Sequence, residues 1–289
     1  MDFRTIVPLP AAPLRLEPSS HVMLLGSCFA EEVGTRLADS LPEGHVVVNP
    51  CGVLYNPESI AQTLRLLTME EGQRRRQIAD SLFVANDGRW HSWLFSTKFT
   101  ASSQADCLEL CAEALSQDLA HLDCLVLTLG TDQCYRLRED GRVVANCHKQ
   151  PAALFDEGPI VGSTALYDAL SALLREYPQL QVLLTVSPYR YAKYGFHESQ
   201  LCKARLLLQA DGLCQALPHV TYFPAYEILL DELRDYRFYA ADMLHPSPQA
   251  ADYIFERFRE WCFTSELQQS ADERQKALRR LRHNSLGKF

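Results

Sequence analysis

The 289-residue chain has no apolar run approaching the ~20 residues that a bilayer-spanning helix needs; its longest runs are about half that length. It opens on Met1-Asp2-Phe3-Arg4 and then Pro-rich sequence, without the basic segment and apolar stretch of a secretory leader. CxxC, HExxH, GxGxxG and GxxxxGK are all missing, and with them the usual signatures of redox pairs, zinc peptidases, dinucleotide sites and phosphate loops. Cationic excess is missing too: 28 Lys and Arg against 36 Asp and Glu leave a net charge of −8, so no global field attracts nucleic acid or anionic lipid. No Gly/Ser-rich linker, internal repeat or low-complexity tract divides the chain. These absences predict a soluble cytoplasmic protein with no nucleic-acid partner, no membrane, no cofactor and no resident metal; they leave the oligomeric state open.

What is present is ordinary globular composition, 47% hydrophobic and 22% charged, in a length that suits one large α/β domain or two small ones. Ten cysteines are many for this size, yet no spacing argues for disulfides, and reduced thiols are expected. Cys107 and Cys111, four apart on a predicted helix, read as small buried hydrophobes rather than metal ligands.

Five short apolar runs recur: His21–Leu25, Val46–Val48, Cys124–Leu129, Val182–Val186 and His219–Phe223. Most are continuous rather than alternating, which suits strands buried on both faces of a parallel sheet. Between them, helical spacings such as Phe29, Val33, Leu37 and Leu41 predict a doubly wound α/β sheet. Two stretches break the alternation, Phe83 to Phe99 around Asp87-Gly88 and Tyr135 to Asn146 around Asp140-Gly141, and both predict β-hairpins on Asp-Gly turns. The chain from about Asp272 onward is basic (Arg274, Lys276, Arg279, Arg280, Arg282, Lys288) and predicts a solvated helix or a partner-binding arm. A domain spanning 1–265 and a basic helical tail over 266–289 are therefore expected.

The polar residues gather where the runs end. Gly26-Ser27-Cys28, Asn49-Pro50-Cys51-Gly52, Gly130-Thr131-Asp132 and Ser187-Pro188-Tyr189-Arg190 would converge on one edge of a parallel sheet, where ligands bind. Ser27 sits at a strand–turn–helix junction. It reads either as a nucleophile whose N–H faces a developing oxyanion or as a simple helix cap. Asp242 lies three residues before His245, spacing that lets a carboxylate reach the imidazole within one loop, as a serine nucleophile requires of its base; a surface loop with a capping Asp is the other reading. His91, among Trp90, Trp93 and Phe95, reads as a substrate-contacting flap or as packed hairpin residues, and His148-Lys149 beside Asn146 as site lining. Arg190 and Lys203 are candidates for an anionic substrate group. Asp231, Glu232, Arg234, Asp235 and Arg237 read as a structural charge network.

Gly26-Ser27-Cys28-Phe29-Ala30 resembles the name-giving motif of the GSCFA family, a bacterial relative of the SGNH/GDSL hydrolases. Asn49–Pro57, Thr128–Thr131, Asn146–Lys149, Tyr222–Ile228 and Asp231–Ser247 are similar to the same family, over roughly Pro8 to Trp261. The resemblance implies an SGNH-like three-layer α/β/α fold with a mostly parallel five-stranded sheet and hairpin insertions. It also implies serine-dependent ester hydrolysis. By position, Ser27 resembles the nucleophile and Asp242/His245 the acid–base pair. Gly52 best matches the oxyanion glycine. The expected oxyanion asparagine has no counterpart after Gly130, so Thr131, a backbone N–H or Asn146 is expected to serve there. Gly130, His91, His148 and Arg190 would line the substrate. Gly-Ser with Asp-x-x-His also resembles carbohydrate acyl esterases, implying an O-acylated sugar or another small ester. The competing readings are a catalytically silent carbohydrate- or nucleotide-binding protein, an acyltransferase using the same triad, and a metal site built from His91, His148, His197 and His245.

Overall fold

The computed structural model describes residues 4–286 except residue 13, with side chains described as far as residue 277. In chain order the elements begin with β1 (Val22–Gly26), α1 (Cys28–Ala38), β2 (Val46–Val48), α2 (Pro57–Thr68) and α3 (Glu71–Ala79). The first insertion follows as β3 (Leu82–Val84), β4 (Trp90–Ser92) and β5 (Thr100–Ala101), then α4 (Gln104–Ala114) and β6 (Cys124–Leu129). The second insertion is β7 (Gln133–Leu137), β8 (Val143–Val144) and β9 (Phe155–Pro159). The chain continues through α5 (Ala165–Glu176), β10 (Gln181–Val186), α6 (Phe196–Ala216), β11 (Val220–Tyr222) and a short α7 (Ala225–Glu227), which runs into a π-helical turn over Ile228–Leu233. It ends in α8 (Pro248–Cys262) and α9 (Ser265–Leu286).

All five predicted runs are strands of one parallel sheet, ordered β11-β10-β6-β1-β2. Every residue of β1 and β6 is buried, the reason their sequences are apolar without alternation. Successive side chains enter opposite cores. Met23, Leu25, Leu125, Leu127 and Leu184 pack with α2, α5 and α6, whereas Val22, Leu24, Val126 and Leu183 pack with α1 and α8. The result is a three-layer α/β/α fold. All ten cysteines are free, and Cys107 and Cys111 are buried in the first core. Among the described residues no helix is long and apolar enough to cross a membrane.

Both Asp-Gly turns form: Asp87 Oδ1 accepts from the Arg89 N–H and Asp140 Oδ1 from the Arg142 N–H, each at 2.9 Å. The hairpins are more than two-stranded, however. β5 adds to β4 and β9 adds to β7, giving two three-stranded antiparallel sheets. A lone two-stranded ribbon is marginal in water, and the third strand covers the edge that each hairpin would expose. The C-terminal helix starts at Ser265, within a residue of the expected tail. Its first turns are not solvated, because Leu267 and Ala271 are buried in the second core and Arg259 pairs with Asp272 at 2.6 Å. The side chains of Arg279, Arg280 and Arg282, and all of Lys288, lie outside the described residues.

The strand order matters for the site. From β1 the chain crosses to β2 on one side, then returns to β6 on the other. The reversal leaves a crevice at the carboxyl ends of β1 and β6, where open α/β sheets bind ligands.

Candidate active site

Gly26 ends β1 at φ 139°, and a Cβ there would run into the Thr128 carbonyl of β6, so only glycine fits the turn. Ser27 follows as the N-cap of α1. Its Oγ accepts from the Phe29 N–H at 3.3 Å, and the residue is 1% exposed. β6 approaches so closely that a Cβ on Gly130 would lie 3.1 Å from Ser27 Cβ. Asn49 Oδ1 accepts from the Gly26 N–H at 2.8 Å and carries the β1–β2 ladder past Val48. The Tyr55 carbonyl holds both Gly130 N–H (2.9 Å) and Thr131 N–H (2.8 Å).

Beneath this edge lies Lys203, 2% exposed, whose Nζ donates to the carbonyls of Gly130 and Ser187 at 2.8 Å each. It therefore ties together the ends of β6 and β10 instead of reaching out to an anionic ligand. Burial pushes its ammonium down to about 8, since a cation without water is disfavoured.

The second half of the site is the loop before α8. Asp242 Oδ2 meets His245 Nδ1 at 2.5 Å, while Oδ1 accepts from the N–H groups of Leu244 (2.9 Å) and His245 (3.0 Å). Together these bonds, the imidazole first, hold the Asp242 carboxyl down at about 2. An Nδ1–H donated to a carboxylate leaves Nε2 as the accepting nitrogen. The loop is closed by Ala240 N–H on the His245 carbonyl (2.8 Å) and Ser247 N–H on the Phe238 carbonyl (2.8 Å), and Ser247 caps α8.

Tyr189, at the end of β10, connects the halves. Its ring lies 4.3 Å from the His245 ring, centroid to centroid. Its phenol is held up by burial and then by the proximity of the Cys28 thiol and the Asp242 carboxylate. The same Cys28 thiol, with burial, raises Tyr55. In sequence Tyr189 is simply one of the polar residues that follow a strand. Only the fold reveals it as the contact of His245, and Tyr55, within the Asn49–Pro57 segment, likewise has no role legible in sequence. Cys28 itself is pushed up by burial and then by Glu31, so its thiol stays protonated and is no rival nucleophile. Among the described residues no hydrogen bond joins Ser27 Oγ to His245; the hydroxyl serves α1 as its cap.

Two of the expected oxyanion donors, the N–H groups of Ser27 and Gly52, are otherwise engaged. Ser27 N–H donates to the Thr128 carbonyl at 3.1 Å, extending the β1–β6 ladder, and Gly52 N–H donates to the Asn49 carbonyl at 2.7 Å within its own turn. Thr131 is buried, its Oγ1 bound to the Gln133 N–H (3.1 Å) and near Cys202 Sγ (3.4 Å). Asn146 Oδ1 accepts from the His148 N–H at 2.8 Å. Strand ladders and tight turns take up backbone donors that the sequence alone leaves unassigned.

His91 and His148 are packing residues of the inserted sheets. Their Nδ1 atoms lie 3.3 Å apart, both rings are buried, and His148 packs edge-on against the stacked Phe83 and Trp93 rings. Burial, then the neighbouring His91, pushes His148 down to about 4. Asp87 and Thr100 take His91 Nε2 at 3.1 and 3.3 Å. No group of three or more His, Cys, Asp or Glu side chains is arranged to hold a metal among the described residues. Arg190 donates Nη1 to the Met243 carbonyl at 3.0 Å and its N–H to the Leu244 carbonyl at 3.0 Å, so it anchors the Asp242–His245 loop. Of the presumed charge network, Glu232 is structural: it takes the Tyr253 hydroxyl and the Val7 N–H. Asp231, Arg234 and Asp235 instead line an open groove beside that loop.

The GSCFA family profile matches residues 21–258, from the first residue before β1 to the middle of α8. The chain belongs to the GSCFA family. No curated protein matches it. Solved structures that resemble this GSCFA protein include one described as a platelet activating factor from Streptococcus pneumonia, 12% identical, over 83% of this chain and 84% of that one at a TM-score of 0.38. Another is an acetyl xylan esterase from the rumen bacterium Butyrivibrio proteoclasticus, also 12% identical at a TM-score of 0.38, over 86% of this chain but only 64% of that one. Likeness of that degree leaves the GSCFA site to be argued from its own geometry.

Proposed function

We propose that this GSCFA protein is a serine-dependent ester hydrolase of the SGNH type. Ser27 Oγ attacks the acyl carbonyl and His245 Nε2 takes its proton. Asp242 fixes the imidazole tautomer and stabilises the imidazolium. The leaving alcohol receives that proton, and water then releases the acyl group from Ser27 by the same route in reverse. For the oxyanion, the N-terminus of α1 is the source of positive potential, with the Cys28 N–H, first in the helix, in place of the engaged donors of Ser27 and Gly52. Charged Lys203 under Gly130 adds to that potential.

The observation that carries this reading is the Asp242–His245 pair at 2.5 Å, with the His245 ring 4.3 Å from Tyr189 just past β10, at the same sheet edge where Ser27 follows β1. The test is hydrolysis of p-nitrophenyl acetate together with labelling by a fluorophosphonate probe. Labelling at Ser27, and its disappearance in Ser27→Ala along with turnover, is the expected result; turnover retained by that variant removes Ser27 from the mechanism.

A second reading, a silent binding crevice, is favoured by one fact: the Ser27 hydroxyl caps α1 and is not bonded to His245. Absence of both labelling and turnover in the native protein would select it.

A further inference from the structure

Beside the Asp242–His245 loop runs a groove of about 430 Å³, within the roughly 300–1,000 Å³ typical of small-molecule sites. Its walls are Arg190, the π-helical turn, Arg234, Asp235, Tyr236 and Tyr239. Two links place it at the rim of the site. Arg190 binds the carbonyls of Met243 and Leu244, and Tyr239 forms a β-bridge with Pro246. Single-turn π segments recur at functional sites, and this one projects Asp231 into the groove, where it pairs with Arg234 at 3.7 Å.

The chemistry of the lining is specific in kind. Anionic ligands are disfavoured, because Asp231 and Asp235 face the same space as the guanidinium groups. Arg190 is also committed to the Met243 carbonyl and to the rings of Phe196 (4.5 Å), Tyr239 (5.3 Å) and Tyr236 (6.0 Å). Leu229 and Leu230 give the lining apolar surface as well, but two guanidiniums, two carboxylates and the Gln200 amide share the cavity with them and suit an amphipathic ligand better than an apolar chain. Paired carboxylate acceptors and guanidinium donors suit vicinal hydroxyls. Tyr236, 68% exposed and tilted 47° to Tyr239, offers an aromatic face with no burial in the fold to account for it.

We propose that this groove holds the alcohol part of the substrate, and that this part is a neutral sugar ring stacked on Tyr236 with its hydroxyls on Asp231, Asp235 and Arg234. The inference rests on the hydrolase reading for which end of the ligand faces His245, but sugar binding itself can be measured without turnover. Ser27→Ala protein is titrated by NMR with acetylated methyl glucoside and with its uronate counterpart. Saturable binding of the neutral ester, weakened about tenfold by adding Tyr236→Ala, is expected, a loss the size of one aromatic contact. In the enzyme with Ser27 intact, Tyr236→Ala should lower the kcat/KM ratio of sugar ester to p-nitrophenyl acetate by a similar factor. Tighter binding of the uronate, or affinity and ratio unmoved by Tyr236→Ala, overturns the sugar subsite. Tyr236 is exposed, so its loss leaves the fold standing. If Ser27→Ala still hydrolyses esters, the hydrolase reading fails while the titration continues to judge the groove.

Discussion

The two halves of the candidate site are built in opposite ways. Around Ser27 the surroundings are fixed by the sheet. Gly26 is pressed on Thr128, Gly130 on Ser27, and the N–H groups of Ser27, Gly52, Gly130 and Thr131 all donate to carbonyls. The Asp242–His245 loop is half exposed and held mainly by its own short-range bonds, with Arg190 as its tie to β10. Ser27 is thus placed by long-range strand register, His245 by a local turn. Under the proposed hydrolase reading, this division would keep Ser27 fixed and let the imidazole adjust, which suits a hydroxyl that must leave its capping bond to react.

The sharpest way to break this comparison is Ser27→Ala. A loss of turnover of about 10⁶-fold is expected from removing a nucleophile, measured with p-nitrophenyl acetate. Because Ser27 also caps α1, stability should fall by about 1 kcal/mol in urea unfolding. A stability loss without a turnover loss would leave only the cap. Next comes the loop. Asp242→Asn should lower kcat by about 10⁴-fold through the wrong imidazole tautomer, with the unfolding midpoint unchanged. An equal fall in stability would mean the pair supports the fold rather than the chemistry.

Smaller, and on the rigid side, Gly26→Ala should cost about 3 kcal/mol, from a left-handed φ and a collision with backbone that cannot move aside. Acid separates the regions again. His148 has its folded value lowered to about 4 against 6.5, so the unfolded chain binds its proton first. The stability that His148 contributes is complete above about pH 6.5 and is lost as pH falls toward 4, by up to about 3 kcal/mol for such a shift. Asp242 keeps its charge through that window and loses it only toward pH 2. Urea midpoints at pH 7 and 4.5 should therefore differ in the native protein and converge in His148→Gln. An unchanged slope in that variant would assign the acid sensitivity elsewhere.

Much of the scaffold was legible because apolar runs and helical spacing are local signals. The five central strands, the two Asp-Gly turns and the Asp242–His245 pairing across three residues all follow from neighbours in sequence. Donor assignments were not legible. Whether Ser27 N–H is free depends on what β6, about a hundred residues along the chain, already accepts, and whether Gly52 N–H is free depends on how its own turn closes. The same holds for Lys203, which looks like a ligand-binding cation in sequence and is a buried clamp between two strand ends. His91 and His148 look like site lining, and they meet only because two inserted sheets pack together.

By itself, then, the sequence determined which segments become buried strands and that Asp242 can reach His245 within one loop, since periodicity and short spacing suffice for both. Tertiary structure alone decided that Tyr189 lies against His245, that the Ser27 N–H is taken up by the β1–β6 ladder, and that Asp231, Arg234 and Tyr236 share a groove with Arg190. Those facts depend on strand order and register, which bring together residues some 40 to 100 positions apart and which no local pattern encodes.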